Sequence, residues 1–468
     1  MKIRKISLRI IAVAFLLIAI VASASKRRKP ASVIKEQRPN IIIIMADDLD
    51  SKQLSCYGGQ NINTRNIDAL AAEGLKFNQI IASEPVCVPT RASLFTGLYP
   101  VKHGAYQNHK PVYNNIKSVA HYLGNLGYRV GLSGKDHVTK PKAIFPFQII
   151  PGFEPNCIAS TDEYFLDSVK EFVDQKDNPF CLFLMSINPH APWTVGDPLE
   201  FDPSKLKLPA HWADTKFTRE EFCKYLAEVR RLDNQVGDVI NLLKEKGQDK
   251  NTIVIFLGEQ GPQFPGGKWS LYDNGVKSSM IVKWPGVTRP GTENSAIVQY
   301  EDITPTLVDI AGGKPIAGLD GKSFLSVIKG KALEHRQSAY LIYNNIPEGP
   351  SYPIRAIRDK KFKLINNLTA EKPYYIKYMM NTANKQLVWT SWVEKSKTEV
   401  LAKKLTSRIA NRPAVEFYDL IKDPEELNNL AEEAEYKTLI TNYQHKLDEW
   451  MRQQGDKGAM LDVEFGGD

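Results

Sequence analysis

Four places in the chain put charged, amide or imidazole side chains directly behind short apolar runs: Asp47-Asp48, Gly134-Lys135-Asp136-His137, Asn188-Pro189-His190 and Gly258-Glu259-Gln260-Gly261. In open α/β sheets ligands bind outside the carboxyl ends of the strands, so residues that follow strand-like runs are the ones to inspect for chemistry. Taken singly, an Asp-Asp pair caps a loop through backbone amides, and a lone His or Lys is an ordinary loop or surface residue. Together, Asp47, Asp48, Glu259 and Gln260 supply the carboxylate and amide oxygens that a hard divalent cation requires, and Ca2+ accepts loose geometry at about 2.3 to 2.6 Å. Cys87, with Arg91 four residues on, adds a sulfur nucleophile. As a thiolate it would pair with His137 or His190 in a cysteine hydrolase.

The run Cys87-Val-Pro-Thr-Arg-Ala-Ser-Leu-Phe-Thr-Gly97, with Cys87, Pro89, Arg91, Thr96 and Gly97 in place, resembles the signature of the sulfatase family. The resemblance extends through Asp47-Asp48, Gly134-Lys135 with His137, His190, Lys268 in Lys268-Trp-Ser-Leu-Tyr-Asp-Asn-Gly275, and Phe417 to Ala431. It implies an alkaline phosphatase-like fold, with Cys87 oxidised to formylglycine by a formylglycine-generating enzyme. It also implies Ca2+ held by Asp47, Asp48, Glu259, Gln260 and the modified Cys87. Arg91 and Lys135 would position the formylglycine, Lys135 and Lys268 would clamp the sulfate, His190 would protonate the leaving group, and His137 would serve as the base that releases sulfate. One departure stands out: most of the family has Asp followed by Asn or His where this chain has Glu259-Gln260, each one methylene longer.

Gly134 to Val138 leading to Phe145-Pro-Phe147, and Phe264-Pro-Gly-Gly-Lys268, are similar to the sulfamidase branch, which removes N-sulfate from glucosamine of heparan type. An O-sulfate of an algal polysaccharide such as ulvan is the second substrate reading. Tyr106 to His109, His211, Arg355 and Arg358 are candidates for sugar contacts, because specificity resides in loops around a pocket. Rival functions are a phosphodiesterase or phosphonate monoester hydrolase on the same fold, and a non-catalytic glycan-binding protein, which only the Glu259-Gln260 change supports.

Positioning these residues requires strands, and the apolar runs Asn40 to Ala46, Tyr128 to Ser133, Phe180 to Ile187 and Asn251 to Leu257 read as strands buried on both faces. Helical patterns fall between them, at Ile67 to Leu75, Lys117 to Leu126 and Thr218 to Lys246. In the last, Tyr225, Val229, Leu232, Val236, Ile240 and Leu243 make one apolar stripe. The alternation predicts an α/β fold with a mixed, largely parallel central sheet flanked by helices. Beyond Tyr343 paired strands at Ile354 to Ile357 and Lys361 to Ile365, then a helix over Glu433 to Gln454, read as a smaller C-terminal α+β subdomain. The expected division is a leader at 1–24, a linker at 25–38, a catalytic domain at 39–343 and the subdomain at 344–468. A length of 468 residues suits such a division, since one hydrophobic core stops growing near roughly 250 to 300 residues.

Lys2, Arg4, Lys5 and Arg9 precede an apolar run from Ile10 to Ala22, and Ala22-Ser23-Ala24 reads as a cleavage motif, so export to the periplasm or medium is expected. The run is short of the roughly 20 residues needed to span a bilayer, so no stable membrane span is expected. Half of the formal charge of +8 comes from those four basic residues. The mildly basic remainder suits a sulfated glycan, and no basic stripe interleaved with aromatics points to nucleic acid. The five cysteines show no CxxC spacing, and an odd number leaves at least one unpaired, with Cys87 the choice. Asn367-Leu368-Thr369 matches a glycosylation sequon, a pattern common by chance.

Overall fold

The computed structural model describes residues 38–156, 164–175, 177–384 and 387–461. The leader, nearly all of the linker, and Cys157 lie outside the described residues. In chain order the strands are β1 (Asn40–Met45), β2 (Leu75–Ile81), β3 (Arg129–Gly134), β4 (Gln148–Ile149), β5 (Phe180–Met185), β6 (Thr252–Leu257), β7 (Lys277–Lys283), β8 (Thr292–Asn294), β9 (Val298–Gln299), β10 (Ala339–Tyr343), β11 (Ile354–Arg358), β12 (Phe362–Asn367) and β13 (Val415–Asp419).

The unbroken apolar run of β1 has a simple cause. Ile42 and Ile44 pack into the core on one face of the sheet while Ile41, Ile43 and Met45 pack into the other, so neither face meets water. β1 lies between β5 and β6, parallel to both, and β3 lies parallel beyond β5. These are the four strands read from the sequence. Among the described residues the sheet has nine strands, in the order β4-β3-β5-β1-β6-β7-β2-β8 with β9 beside β2. β7 runs antiparallel to both β6 and β2, which makes the sheet mixed.

Thr215 caps the helix Lys216–Glu245 by accepting the Thr218 backbone N–H, which starts the helix two residues before the expected Thr218. Ser118 and His121 form a capping box on Val119–Asn125. The helix expected over Ile67 to Leu75 is instead Arg65–Ala72, and Leu75 opens β2. The chain leaves the helix at Gly74, where a Cβ would lie 2.8 Å from the Val282 carbonyl oxygen of β7.

β10 to β13 form a separate four-stranded antiparallel sheet, covered by the helix Lys437–Gln454. Its first strand precedes residue 344. Leu341, Tyr343, Ile354, Ala356 and Ile365 of this sheet share an apolar core with Ile42 and Ile44 of the first, and Pro39 to Asp468 form one compact unit. The Ile342 backbone N–H donates to the Ser83 carbonyl at 2.8 Å, tying β10 to the segment that leads into Cys87. The sequon residue Asn367 is buried, its amide donating to Pro413 O and Glu416 Oε1. Cys56, Cys87, Cys181 and Cys223 carry free thiols. Among the described residues no helix is long and apolar enough to cross a membrane.

Gly134 ends β3 with φ +94°, and a Cβ there would sit 2.2 Å from the Met185 carbonyl oxygen. Gly134→Ala is expected to cost about 1–3 kcal/mol of stability, read as a lower unfolding midpoint in calorimetry. An unchanged midpoint would show that the turn before Lys135 tolerates a side chain.

Candidate active site

The carboxyl ends of β1, β3, β5 and β6 deliver Asp47-Asp48, Lys135, His190 and Glu259-Gln260 to one place. Cys87 arrives separately, at the first residue of the helix Cys87–Thr96, after Val86 in extended conformation. The spacing of the signature then has a physical reading. Pro89 sits in the first turn, where its missing N–H would have had no intrahelical partner. Arg91 follows Cys87 by four residues and shares its face. Gly97 closes the helix in the left-handed region at φ +73°. All ten helical residues are buried, so the segment shows no amphipathic period and the sequence pattern does not announce it.

Three carboxylates and three cations meet here with essentially no exposure. Lys135 Nζ is ion-paired with Asp47 Oδ2. Lys268 Nζ donates to Asp48 Oδ2 at 2.7 Å, and Arg91 Nε to Glu259 Oε1 at 2.6 Å. The Cys87 Sγ lies 3.5 Å from Asp47 Oδ1 and 3.3 Å from Lys268 Nζ. Gln260 Nε2 donates to Asp48 Oδ1 at 2.7 Å and lies 3.6 Å from the sulfur, while its Oε1 accepts from Thr90 Oγ1. His190 Nε2 is 3.6 Å from Asp48 Oδ2, and its buried Nδ1 has no hydrogen-bond partner.

Burial raises the Asp47 carboxyl, but Lys135, His190 and Arg91 hold it well below the usual range. In Asp48 and Glu259 burial wins: Asp48 is raised despite Lys268, and Glu259 is raised well above its usual value despite Arg91. Burial and Asp47 push the Cys87 thiol up, yet Lys135, Lys268 and a hydrogen bond from His137 bring it well below its ordinary value. Position 87 therefore favours an anionic nucleophile.

The donor set fits a divalent cation. Asp47, Asp48, Cys87 and Glu259 each offer an atom, all within 4.8 Å of one another. Two of these carboxyls are held toward their neutral forms by burial, a cost that a buried cation removes. Gln260 would join as a ligand with its amide turned to present Oε1. The longer Glu259-Gln260 pair is seated by flanking glycines: a Cβ on Gly258 would meet Ser278 Oγ at 2.2 Å, and one on Gly261 would meet Asn274 O at 1.6 Å. Asp48, His109 and Trp269 all hold positive φ at or beside this cluster, the kind of local strain that concentrates at functional sites.

The cluster opens into a cleft of about 680 Å³ whose lining includes Cys87, His109, His137, His190 and Lys268. His137 Nε2 and His109 Nδ1 are 3.2 Å apart. The other three candidates for sugar contact sit elsewhere. His211 is buried with its Nδ1 2.5 Å from Glu425 Oε2. Arg355 is paired with Asp456 at 2.5 Å, and Arg358 with Asp273 at 3.3 Å. Neither arginine nor His211 lines the cleft. The lining instead contains Asn108, Trp193, Trp269, Glu348 and Tyr378, of which only Asn108 falls within the Tyr106 to His109 stretch read from the sequence. Glu348 lies in a Pro-rich loop with no strand-end signal to mark it.

A sulfatase family model matches residues 39–313, and a model of the N-sulphoglucosamine sulphohydrolase C-terminal region matches residues 266–414. The chain is 32% identical over 433 residues to an ulvan-active sulfatase of Formosa agariphila, covering 91% of this chain and 82% of that one. It is 27% identical to human N-sulphoglucosamine sulphohydrolase over 466 residues, covering 89% of this chain and 90% of that one. Among solved structures it resembles BT4656 in complex with D-glucosamine-2-N,6-O-disulfate, at TM-score 0.70 and 20% identity, covering 90% of this chain and 99% of that one, a likeness of fold. With the signature helix at the base of the cleft and relatives matching nearly its full length, the chain belongs to the sulfatase family and is a sulfuric ester hydrolase.

Proposed function

We propose that this enzyme removes sulfate from a sulfated polysaccharide or its oligosaccharides, with Ca2+ as cofactor and Cys87 matured to formylglycine by a formylglycine-generating enzyme. The observation that carries the reading is the meeting of Cys87 with Asp47, Asp48, Glu259, Arg91, Lys135 and Lys268 in one buried cluster at the base of the cleft. Ca2+ on Asp47, Asp48, Glu259 and Gln260, with the aldehyde hydrate of residue 87, would supply charge neutralisation and an oxygen nucleophile. The chain's own residues do the rest. Lys268 and Lys135 place fixed positive charge where a sulfate's peripheral oxygens gain negative charge in the transition state. Arg91, anchored on Glu259, holds residue 87 in orientation. His190, whose Nδ1 has no partner among the described residues, lines the cleft and can give a proton to the departing oxygen or nitrogen. His137, bonded to the residue 87 side chain, can take one back.

Two substrates draw support. An ulvan-type O-sulfate is favoured by the 32% identical relative and is our first reading. An N-sulfated glucosamine is favoured by the match to the sulphoglucosamine C-terminal model, and by the human relative. The leader read at 1–24 supports a reaction outside the cytoplasm, where such polymers are met.

Sulfate released from ulvan oligosaccharides and from N-sulfated glucosamine oligosaccharides, measured by ion chromatography on enzyme co-produced with a formylglycine-generating enzyme, separates the two substrates. Cys87→Ala is expected to lower release by on the order of 10³-fold or more while the unfolding midpoint holds. Faster hydrolysis of an aryl phosphate diester than of any sulfate would move the enzyme to phosphoryl transfer. Chelation with EDTA should abolish turnover and lower the midpoint, with Ca2+ restoring both. A ligand at 100 times its Kd stabilises by about 2.7 kcal/mol, so an unmoved midpoint would argue against a tightly held ion. His190→Ala should slow sugar sulfates by about 10²–10⁴-fold and an aryl sulfate with a good leaving group far less. An equal loss on both would assign His190 to positioning.

A further inference from the structure

Glu348 is a buried carboxyl with no evident employment. It is 1% exposed, and neither oxygen finds a hydrogen-bond partner of good geometry, the neighbouring Asn108 lending only partial support. It nevertheless lines the same cleft as Cys87 and Lys268. A buried acceptor left unpaired costs free energy, and such a group in a native protein calls for an explanation.

The position is held firmly. The Glu348 carbonyl accepts the Lys377 backbone N–H at 2.9 Å, and the Gly349 N–H donates to Asn345 O at 2.7 Å. Asn345 Nδ2 bridges Pro350 O and Tyr375 O at 2.6 and 3.1 Å, and Gly349 lies so close to Tyr375 that a Cβ would sit 1.9 Å from its carbonyl oxygen. A loop pinned on both sides of residue 348 holds a carboxyl that, among the described residues, has only partial support from Asn108.

Its neighbours share the condition. Asn108 Oδ1, Trp269 Nε1 and His190 Nδ1 are also buried atoms without partners, and all four residues line the cleft. Trp269 stacks with the half-exposed Tyr378 at 6.1 Å, giving the cleft an aromatic wall. A carboxyl opposes binding of an anion. Burial raises its pKa to about 7, against the pull of Asn108 and Lys268, which blunts that opposition without turning it into attraction. Glu348 is therefore no part of a sulfate clamp, and its chemistry suits a ligand rich in hydroxyl donors.

We propose that Glu348 is a substrate-recognition residue whose carboxyl accepts hydrogen bonds from sugar hydroxyl groups next to the sulfate; this role rests on the sulfated-glycan reading of the cleft. A site built to hydrogen-bond hydroxyls discriminates strongly against a ligand that lacks them, because its own polar groups are then left unpaired. An aryl sulfate carries no such hydroxyls and should not register the residue.

The test compares matured, Ca2+-loaded wild type with Glu348→Gln and Glu348→Ala on the sugar sulfate that the wild type hydrolyses and on 4-nitrophenyl sulfate. KM for the sugar sulfate should rise about tenfold or more in both variants, with aryl sulfate kcat/KM within about twofold of wild type. A sugar sulfate lacking the adjacent hydroxyl should lose affinity in wild type and lose little more in Glu348→Gln, a readout that survives if Glu348→Ala fails to fold. Equal losses on sugar and aryl sulfates, or no loss on either, would overturn the role while leaving the glycan reading intact. Wild type that hydrolyses the aryl sulfate but no sugar sulfate would remove the glycan reading and this role together.

Discussion

Three carboxylates buried at one end of a sheet cannot remain there alone. Moving a charge out of water into a protein interior costs several kcal/mol even after relaxation, and Asp47, Asp48 and Glu259 are all inaccessible to solvent. Lys135 and Arg91 answer Asp47, Lys268 answers Asp48, and Arg91 also answers Glu259. These pairs are what allow a dry, charged pocket to exist beneath an open cleft. Compensation is also incomplete in a useful direction, since Asp48 and Glu259 remain displaced toward their neutral forms. The protein thus keeps a standing demand for one more positive charge, and, against burial, Lys135 and Lys268 hold the Cys87 thiol well below its ordinary pKa.

The scaffold serves this arrangement by bringing backbone very close to backbone. Gly134, Gly258 and Gly261 each stand where a Cβ would collide with a neighbouring strand or loop. Their absence of side chain lets the strand ends converge until Lys135, Glu259 and Gln260 reach the same few ångströms. The second sheet contributes through its connections. β10 braces the segment before Cys87, and the loop that follows β10 carries Glu348 into the cleft. The sharing of one apolar core between the sheets makes those placements rigid, because close-packed interiors deform little.

Strands buried on both faces advertise themselves as unbroken apolar runs, which is why β1, β3, β5 and β6 and the residues behind them are legible in the chain. The short β8 and β9 do not, and β7 and β13, though largely buried, interrupt their apolar residues with Ser278-Ser279 and Glu416. The signature helix is invisible to periodicity for the opposite reason, being buried all round. Arg355 and Arg358 are expected at the sugar because specificity resides in loops around a pocket, but both lie on β11. Their burial in pairs with Asp456 and Asp273 depends on segments 101 and 85 residues away in sequence, respectively.

Residue type and short-range order by themselves determined the parallel core of the sheet, the four clusters behind its strands, and the family to which the signature belongs. Those features are local: alternation of burial, spacing along a helix and the chemistry of adjacent side chains are all written within a few residues. Only the tertiary structure decided which cation answers which carboxylate, that His109 joins His137 while His211 does not, and that Glu348 reaches the cleft. Those outcomes depend on contacts between segments far apart in the chain, and the energy of a buried charge is set by whatever surrounds it in space.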